Sequence, residues 1–237
     1  MTHDQNPHPT IASREEWLKS RIALLEREKA ATRLKDKIAA DRRRLPMVKL
    51  EKDYIFDGIK GKVSLRDLFG DKSQLIVYHF MFDPEWDKGC GGCTSYIDAL
   101  APVDLQILND RNVGFVIISR APIDKLEKYR HERGWTWKWV SSFGSTFNND
   151  FDVTQDSIVK PVEHNYRLAN DQTQTGEAAG TSVFFRLGDV IYHTYQTFAR
   201  GNEGTSDSYG LLDLTPFGRQ EDWEDSPEGW PQKPTYG

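Results

Sequence analysis

The spacing of apolar and polar positions along the chain predicts a long polar helix, then strands and helices in alternation. Residues 13–44 contain no Gly or Pro and are rich in Ala, Leu, Glu, Lys and Arg, which are good helix formers. Ser13 with Glu15 and Glu16 supplies an N-cap and an acidic first turn. Arg42, Arg43 and Arg44 suit the far end, and Pro46 stops the element. Leu18, Ile22, Leu25, Leu34 and Ile38 form only a narrow apolar stripe. Such a helix needs a surface to lie on, either that of its own domain or that of a second subunit in a homodimer. Tyr54 to Phe69 reads as a short hairpin punctuated by Gly58 and Gly61, with Ser64 capping a helical turn through Leu68.

The central segments are more apolar. Gln74 to Phe82 is a nearly continuous hydrophobic run, the pattern of a strand buried on both faces. Thr94 to Leu108 has helical spacing, with a kink expected at Pro102. Val113 to Ser119 is a second buried strand, and Pro122 opens a helix over Ile123 to Arg133 that Gly134 ends. Trp135 to Val140 is a third extended run. Asn148 to Gly180 is polar and weakly periodic, so it reads as an insertion. Thr181 to Arg186 and Val190 to Tyr195 flank a Gly188 turn and form an antiparallel hairpin. The order implies βαβ units and a mixed sheet covered by helices. The expected organisation is a tail over 1–12, a helix over 13–45, a domain over 46–218 with its insertion at about 148–180, and an acidic tail over 219–237.

Composition narrows the function classes. Across 237 residues, 38% are hydrophobic and 12% aromatic, enough for a core. A net charge of -5 argues against nucleic acid as the main partner. The charge is uneven: residues 13–44 carry 11 basic and 6 acidic side chains, whereas residues 202–237 carry 2 basic and 8 acidic. No apolar run reaches a membrane span, and Met1 to Pro9 lacks the order of a signal peptide. The expectation is a soluble cytoplasmic protein.

The chemistry centres on the 2 cysteines, Cys90 and Cys93, separated by Gly91 and Gly92. They follow a buried strand and precede a predicted helix. A helix N-terminus offers free N–H groups and positive potential, which stabilise a thiolate. Three-residue spacing lets the second sulfur attack a mixed disulfide formed by the first, so Cys90 is the candidate nucleophile and Cys93 the resolving thiol. Zinc would need four ligands, and His79, His131, His164 and His193 are scattered without ligand spacing. Attached c-type haem would need His after the second cysteine, where Thr94 stands. Two merely packed thiols remain an alternative, although glycine-flanked cysteines are poor core material. No metal or cofactor is expected.

Arg43 to Pro46, Tyr54 to Phe56, Gln74 to Phe82, Ser119 to Pro122, Gly134-Trp135, Trp139 to Ser142 and Phe147 to Phe151 together resemble the thioredoxin-like family called domain of unknown function 899. The resemblance runs from about residue 13 to about residue 225. It implies a thioredoxin-like fold and, for a family described as predicted dithiol-disulfide oxidoreductases, a redox-active pair at Cys90 and Cys93. The partners would be a thiol or disulfide substrate, protein or small molecule, and an electron donor. The sequence departs from thioredoxin in having Gly89 before the first cysteine and two glycines between the pair. The cis-proline that faces a thioredoxin site also has no counterpart: Gly180 or Thr181 stands there, in a peptide expected to be trans. No Pro-x-x-x-Thr-x-x-Cys pattern of peroxiredoxins ends at either cysteine.

Four further residues are candidates for the substrate side: Trp86, Arg120, Gly180 and Thr181. Trp86 would shield the sulfurs or plug a groove. Arg120, at the end of the second strand, would contact a substrate anion or form a structural ion pair. Lys88 would favour the Cys90 thiolate by proximity, and His79 reads as a core histidine. A non-catalytic binding or redox-sensing module on the same scaffold is the rival to an enzyme.

Overall fold

The computed structural model describes residues 7–205, 211–217 and 219–232. The first six positions of the expected N-terminal tail, and the last five of the acidic C-terminal tail, lie outside the described residues. So does residue 218, the expected end of the central domain. Two compact units emerge, one formed by Pro46–Ser206 and the other by Met1–Leu45 with Asp207–Gly237.

In the smaller unit, α1 (Arg14–Arg42) starts at a complete capping box. The Ser13 hydroxyl accepts from the Glu16 N–H, and the Glu16 carboxylate accepts from the Ser13 N–H at 2.9 Å. At its far end Arg44 donates to the Ala40 carbonyl, the cation-to-carbonyl contact expected at a helix C-terminus. Leu18, Ile22 and Leu25 are exposed.

The larger unit runs β1 (Val48–Lys49), β2 (Ile55–Gly58), β3 (Gly61–Ser64), α2 (Leu65–Leu68) and β4 (Gln74–His79). It continues with α3 (Gly91–Ala99), α4 (Pro102–Asn109), β5 (Val113–Ser119), α5 (Ile123–Arg133), β6 (Trp139–Ser141) and α6 (Phe147–Asp150). Then follow β7 (Thr154–Gln155), β8 (Glu163–His164), β9 (Arg167–Leu168), β10 (Gly176–Glu177), β11 (Gly180–Leu187) and β12 (Val190–Phe198). Eight strands form one sheet in the order β1-β12-β11-β4-β5-β6-β2-β3. β4, β5 and β6 are parallel, joined by helices, while the β11–β12 hairpin adds antiparallel on the other side of β4. A parallel β-α-β pair with an antiparallel hairpin beside its first strand is the thioredoxin-like arrangement.

β4 is buried on both faces, as its apolar run predicts. Leu75 and Val77 point into one cluster with Val116, Ile118, Phe147, Phe151 and Phe184, and the His79 ring packs there on Phe147 and Phe151. Tyr78 and Phe80 point into the other, with Ile117, Ile97, Leu126, Cys93 and all three tryptophans Trp135, Trp137 and Trp139. The three tryptophans, alternating in sequence, therefore share one buried face.

Three sequence expectations change in detail. The helix expected over Thr94 to Leu108 is two helices, because the residue before a proline is pushed out of the helical region; Ala101 sits at φ -82°, ψ 146°. The run from Trp135 pairs only from Trp139 onward, since the Trp135 N–H instead closes the end of α5 on the Arg130 carbonyl at 3.1 Å. The polar segment Asn148 to Gly180 contributes Phe151, Val153 and Val162 to the interior. Its short ladders join β7 to β10 and β8 to β9.

His79 is a core histidine, as its position on the central strand predicts. Its Nε2 meets the Ser182 hydroxyl at 2.7 Å, and its Nδ1 has no partner among the described residues. Burial, with His193 nearby, lowers its pKa to about 3. The unfolded ring takes up a proton near pH 6.5, so stability falls as pH drops from about 6.5 toward 3. Between pH 7 and pH 5 the folded protein should lose about 2 kcal/mol more than a His79→Gln variant does. Denaturant titrations at the two pH values measure this, and parallel losses would exclude His79 as the source.

Candidate active site

The chain leaves β4 at Phe80 and returns to the same strand end after a nine-residue excursion, Met81 to Gly89. Cys90 then occupies the N-cap of α3 at φ -53°, ψ 132°. Its N–H donates to the Met81 carbonyl at 3.0 Å, which anchors the turn to the end of the buried strand. Its own carbonyl accepts the Thr94 N–H at 2.9 Å and the Thr94 hydroxyl at 2.8 Å. That hydroxyl lies 2.9 Å from Tyr129 on α5. Gly89 is required by close approach: a Cβ there would lie 2.5 Å from a Phe80 ring carbon.

The two sulfurs stand in different surroundings. Cys90 is half-buried, and Cys93 is 2% exposed. Hydrogen bonding from the Cys93 thiol, and less so from the Cys93 and Gly92 N–H groups, favours the charged form, outweighs partial burial and lowers the Cys90 pKa to about 6. The same bond works in the opposite sense on Cys93, whose proton it retains. With burial and the neighbouring charge, it pushes Cys93 well above the ordinary thiol range. The Tyr78 hydroxyl and the Met81 N–H, which favour the charged form, partly oppose this. The Cys90 thiolate thus rests on hydrogen bonds at a helix N-terminus; Lys88 is not among the groups that shift it.

The four candidate substrate residues fall in separate places. Trp86 is exposed, in a loop that Lys125 of α5 pins by donating to the Trp86 carbonyl at 2.8 Å and to the Pro84 carbonyl. Arg120 is engaged by carboxylates: its Nε donates to Glu177 at 2.7 Å, and its other arm pairs with Asp83. Glu177 is buried, which raises its pKa against the opposing effect of Arg120, and it also accepts from the Thr154 hydroxyl at 3.0 Å. Thr181 lies opposite Tyr78 in the ladder, on the thiol side of the sheet. Gly180 lies opposite His79, and its Cβ position faces Phe198 and Val153 on the other side. No cis peptide occurs among the described residues, so Gly180–Thr181 is trans.

Sequence reasoning passed over Tyr78, Tyr129, Thr94 and Glu177. For Tyr78 the signal was present: strand alternation puts it two positions before Phe80, on the face toward the thiol turn. Among the described residues, no group of three or more His, Cys, Asp or Glu side chains could hold a metal ion.

The model of the family described as bacterial protein of unknown function (DUF899) matches residues 6–236. The chain belongs to this family. No curated protein matches this DUF899 chain significantly. Several solved structures are similar at low identity. A cysteine mutant of Xylella fastidiosa PrxQ is 14% identical, with 67% of this chain and 88% of that chain covered and a TM-score of 0.43. Peroxidoxin BcpB from Mycobacterium tuberculosis is 16% identical, with 67% and 91% covered and a TM-score of 0.43. A thiol:disulfide interchange protein DsbE from Chlorobium tepidum is 12% identical, with 72% and 99% covered and a TM-score of 0.42.

The site yields two expected outcomes. Alkylation of Cys90 by iodoacetamide should reach half its maximal rate near pH 6, against about 8.5 for an ordinary thiol, and Cys93→Ala should move that midpoint upward. A midpoint unmoved by Cys93→Ala would mean that the backbone donors alone hold the thiolate. Gly89→Ala should cost about 1–3 kcal/mol through its collision with Phe80, measured by chemical denaturation.

Proposed function

We propose that this protein is a thiol–disulfide oxidoreductase in which Cys90 attacks and Cys93 resolves. One observation carries the reading: a half-buried cysteine, its thiolate favoured, stands at a helix N-terminus three residues before a buried one. The Cys90 thiolate attacks one sulfur of a substrate disulfide RSSR. The Cys90–S–S–R bond forms, the substrate S–S bond breaks, and the departing thiolate takes a proton from water. Cys93 then gives up its proton and attacks the Cys90 sulfur. The Cys90–Cys93 disulfide forms and the second substrate thiol leaves, carrying a proton. Two electrons pass from the dithiol to the substrate, and an electron donor, either a small thiol or a reductase, returns them.

Both cysteines are free in the structure, the state that a reducing cytoplasm maintains and in which we place the protein. No described helix is long and apolar enough to cross a membrane. Thr181 and Trp86 would border a docked substrate. Arg120, committed to Asp83 and Glu177, would brace the loop before the thiols rather than hold a substrate anion. A trans peptide at Gly180–Thr181 shapes the docking edge differently from one with a cis-proline, so general protein disulfides should be poor substrates and a small or dedicated disulfide a better one.

Cys90→Ser should abolish disulfide exchange. Cys93→Ser should accumulate a mixed disulfide at Cys90, visible as an added substrate mass. Insulin reduction should be slow beside turnover of a small disulfide. Insulin turnover at a thioredoxin-like rate would refute the specificity, and an unreactive Cys90 would put the binding module ahead.

A further inference from the structure

The first turn of α3 is made of poor helix formers. Gly91 and Gly92 open it, and no side-chain hydrogen bond among the described residues caps it at Cys90. The turn nonetheless sets where Cys93 stands relative to Cys90 and where the unpaired N–H groups of the helix start lie. Something outside the turn has to hold it closed.

Thr94 does so at the Cys90 carbonyl. That oxygen accepts the Thr94 N–H at 2.9 Å, the first bond of the helix, and the Thr94 hydroxyl at 2.8 Å. The same hydroxyl lies 2.9 Å from the hydroxyl of Tyr129. A carbonyl can only accept, so the one proton of the Thr94 hydroxyl goes to Cys90, and the Tyr129 O–H donates to Thr94. A directed chain results, from Tyr129 to Thr94 to the Cys90 carbonyl, in which each bond polarises the next. Thr94 is buried, which keeps competing water away.

Tyr129 is a firm anchor for this chain. Its ring stands edge-on to Phe82 at 5.5 Å between centroids and to Trp139 at 6.3 Å, and both of those side chains are buried. One turn earlier on α5, Lys125 donates to the Trp86 carbonyl at 2.8 Å. Lys125 and Tyr129, four residues apart, share a face of the helix. That face holds the chain on both sides of Cys90, at the loop before it and at the turn after it.

We propose that Tyr129, acting through the Thr94 hydroxyl, is a positioning residue of the thiol pair that keeps the glycine-built first turn of α3 closed behind Cys90. The inference rests on the dithiol reading and deepens it. Neither hydroxyl touches the substrate; both fix the frame from which Cys90 attacks and across which Cys93 resolves.

The test uses the full-length reduced protein and two readouts. Iodoacetamide alkylation across a range of pH reports the thiolate at Cys90. An aromatic disulfide that releases the coloured nitrothiobenzoate ion reports attack by Cys90 in its first equivalent and resolution by Cys93 in its second. Tyr129→Phe keeps the ring, and Thr94→Val keeps the shape of the side chain. Each should raise the alkylation midpoint from near 6 by about half a unit to one unit, as the loosened turn gives up its N–H groups. Each should also slow the second equivalent about three- to tenfold. Thr94→Ser, which keeps the hydroxyl, should behave as wild type in both. Because Tyr129 acts through Thr94, adding Tyr129→Phe to Thr94→Val should change neither value further. Tyr96→Phe removes a hydroxyl of the same helix that bonds Thr205 instead, and should leave both values unmoved. Wild-type values in Tyr129→Phe, additive effects in the double variant, or an equal shift in Tyr96→Phe would overturn the inference and leave the dithiol reading standing. A wild-type protein that releases no second equivalent would overturn the dithiol reading and this inference together.

Discussion

The candidate site depends on two neighbouring thiols in unlike surroundings, a half-buried Cys90 at the start of α3 and a buried Cys93 three residues on. Each acts on the other, lowering the Cys90 pKa and raising that of Cys93, so the pair favours a single proton at neutral pH where two separate thiols would hold nearly two. Most of the local structure serves its geometry. Met81 anchors the turn, its carbonyl accepting from the Cys90 N–H at 3.0 Å. The anchor is rigid because Met81 directly continues the end of β4, where Tyr78, His79, Phe80 and Phe82 are all buried.

The aromatic mass behind the turn follows from the same requirement. Phe80 lies 4.8 Å from Trp139 and 6.0 Å from Trp135, measured between ring centroids, and Phe82 lies 5.5 Å from Tyr129. Their edge-on and tilted packing leaves little room for a side chain at Gly89. The polar atoms buried in this cluster are satisfied internally. The Trp139 indole donates to the Ser119 hydroxyl at 3.0 Å, and that hydroxyl donates to the Phe80 carbonyl at 2.7 Å. A second brace works through Arg120, which links Asp83 in the loop before the thiols to Glu177 in β10 and so to Thr154 and Asn148. The polar segment after Asn148 thereby takes part in shaping the end of the sheet where the thiols lie.

The strands and the thiol turn were legible in the chain because each depends on local signals. Apolar runs gave β4 and β5, Gly188 with φ 59° gave the last hairpin, and cysteines between glycines after a buried strand marked the candidate site. What escaped was long-range. Nothing near Arg120 in sequence points to Glu177, 57 residues away, so a substrate contact stayed open beside the structural ion pair. Tyr78 looked like any aromatic core residue until α3 was placed against it. The fate of Trp135, Trp137 and Trp139 turned on which side of the sheet the aromatic cluster occupies, which alternation alone leaves open.

The central claim is that Cys90 and Cys93 form one reversible two-electron couple. Equilibrating the full-length protein in thiol–disulfide buffers of graded poise, then trapping and weighing it, measures this directly. A single two-electron transition should appear, with the oxidised form two hydrogens lighter and its disulfide mapped to Cys90 and Cys93. Because charge on Cys90 is favoured in the reduced state, the midpoint should fall between about -270 and -120 mV, the range from thioredoxin to the strongly oxidising dithiol proteins. If no Cys90–Cys93 disulfide forms at any poise, the account is wrong.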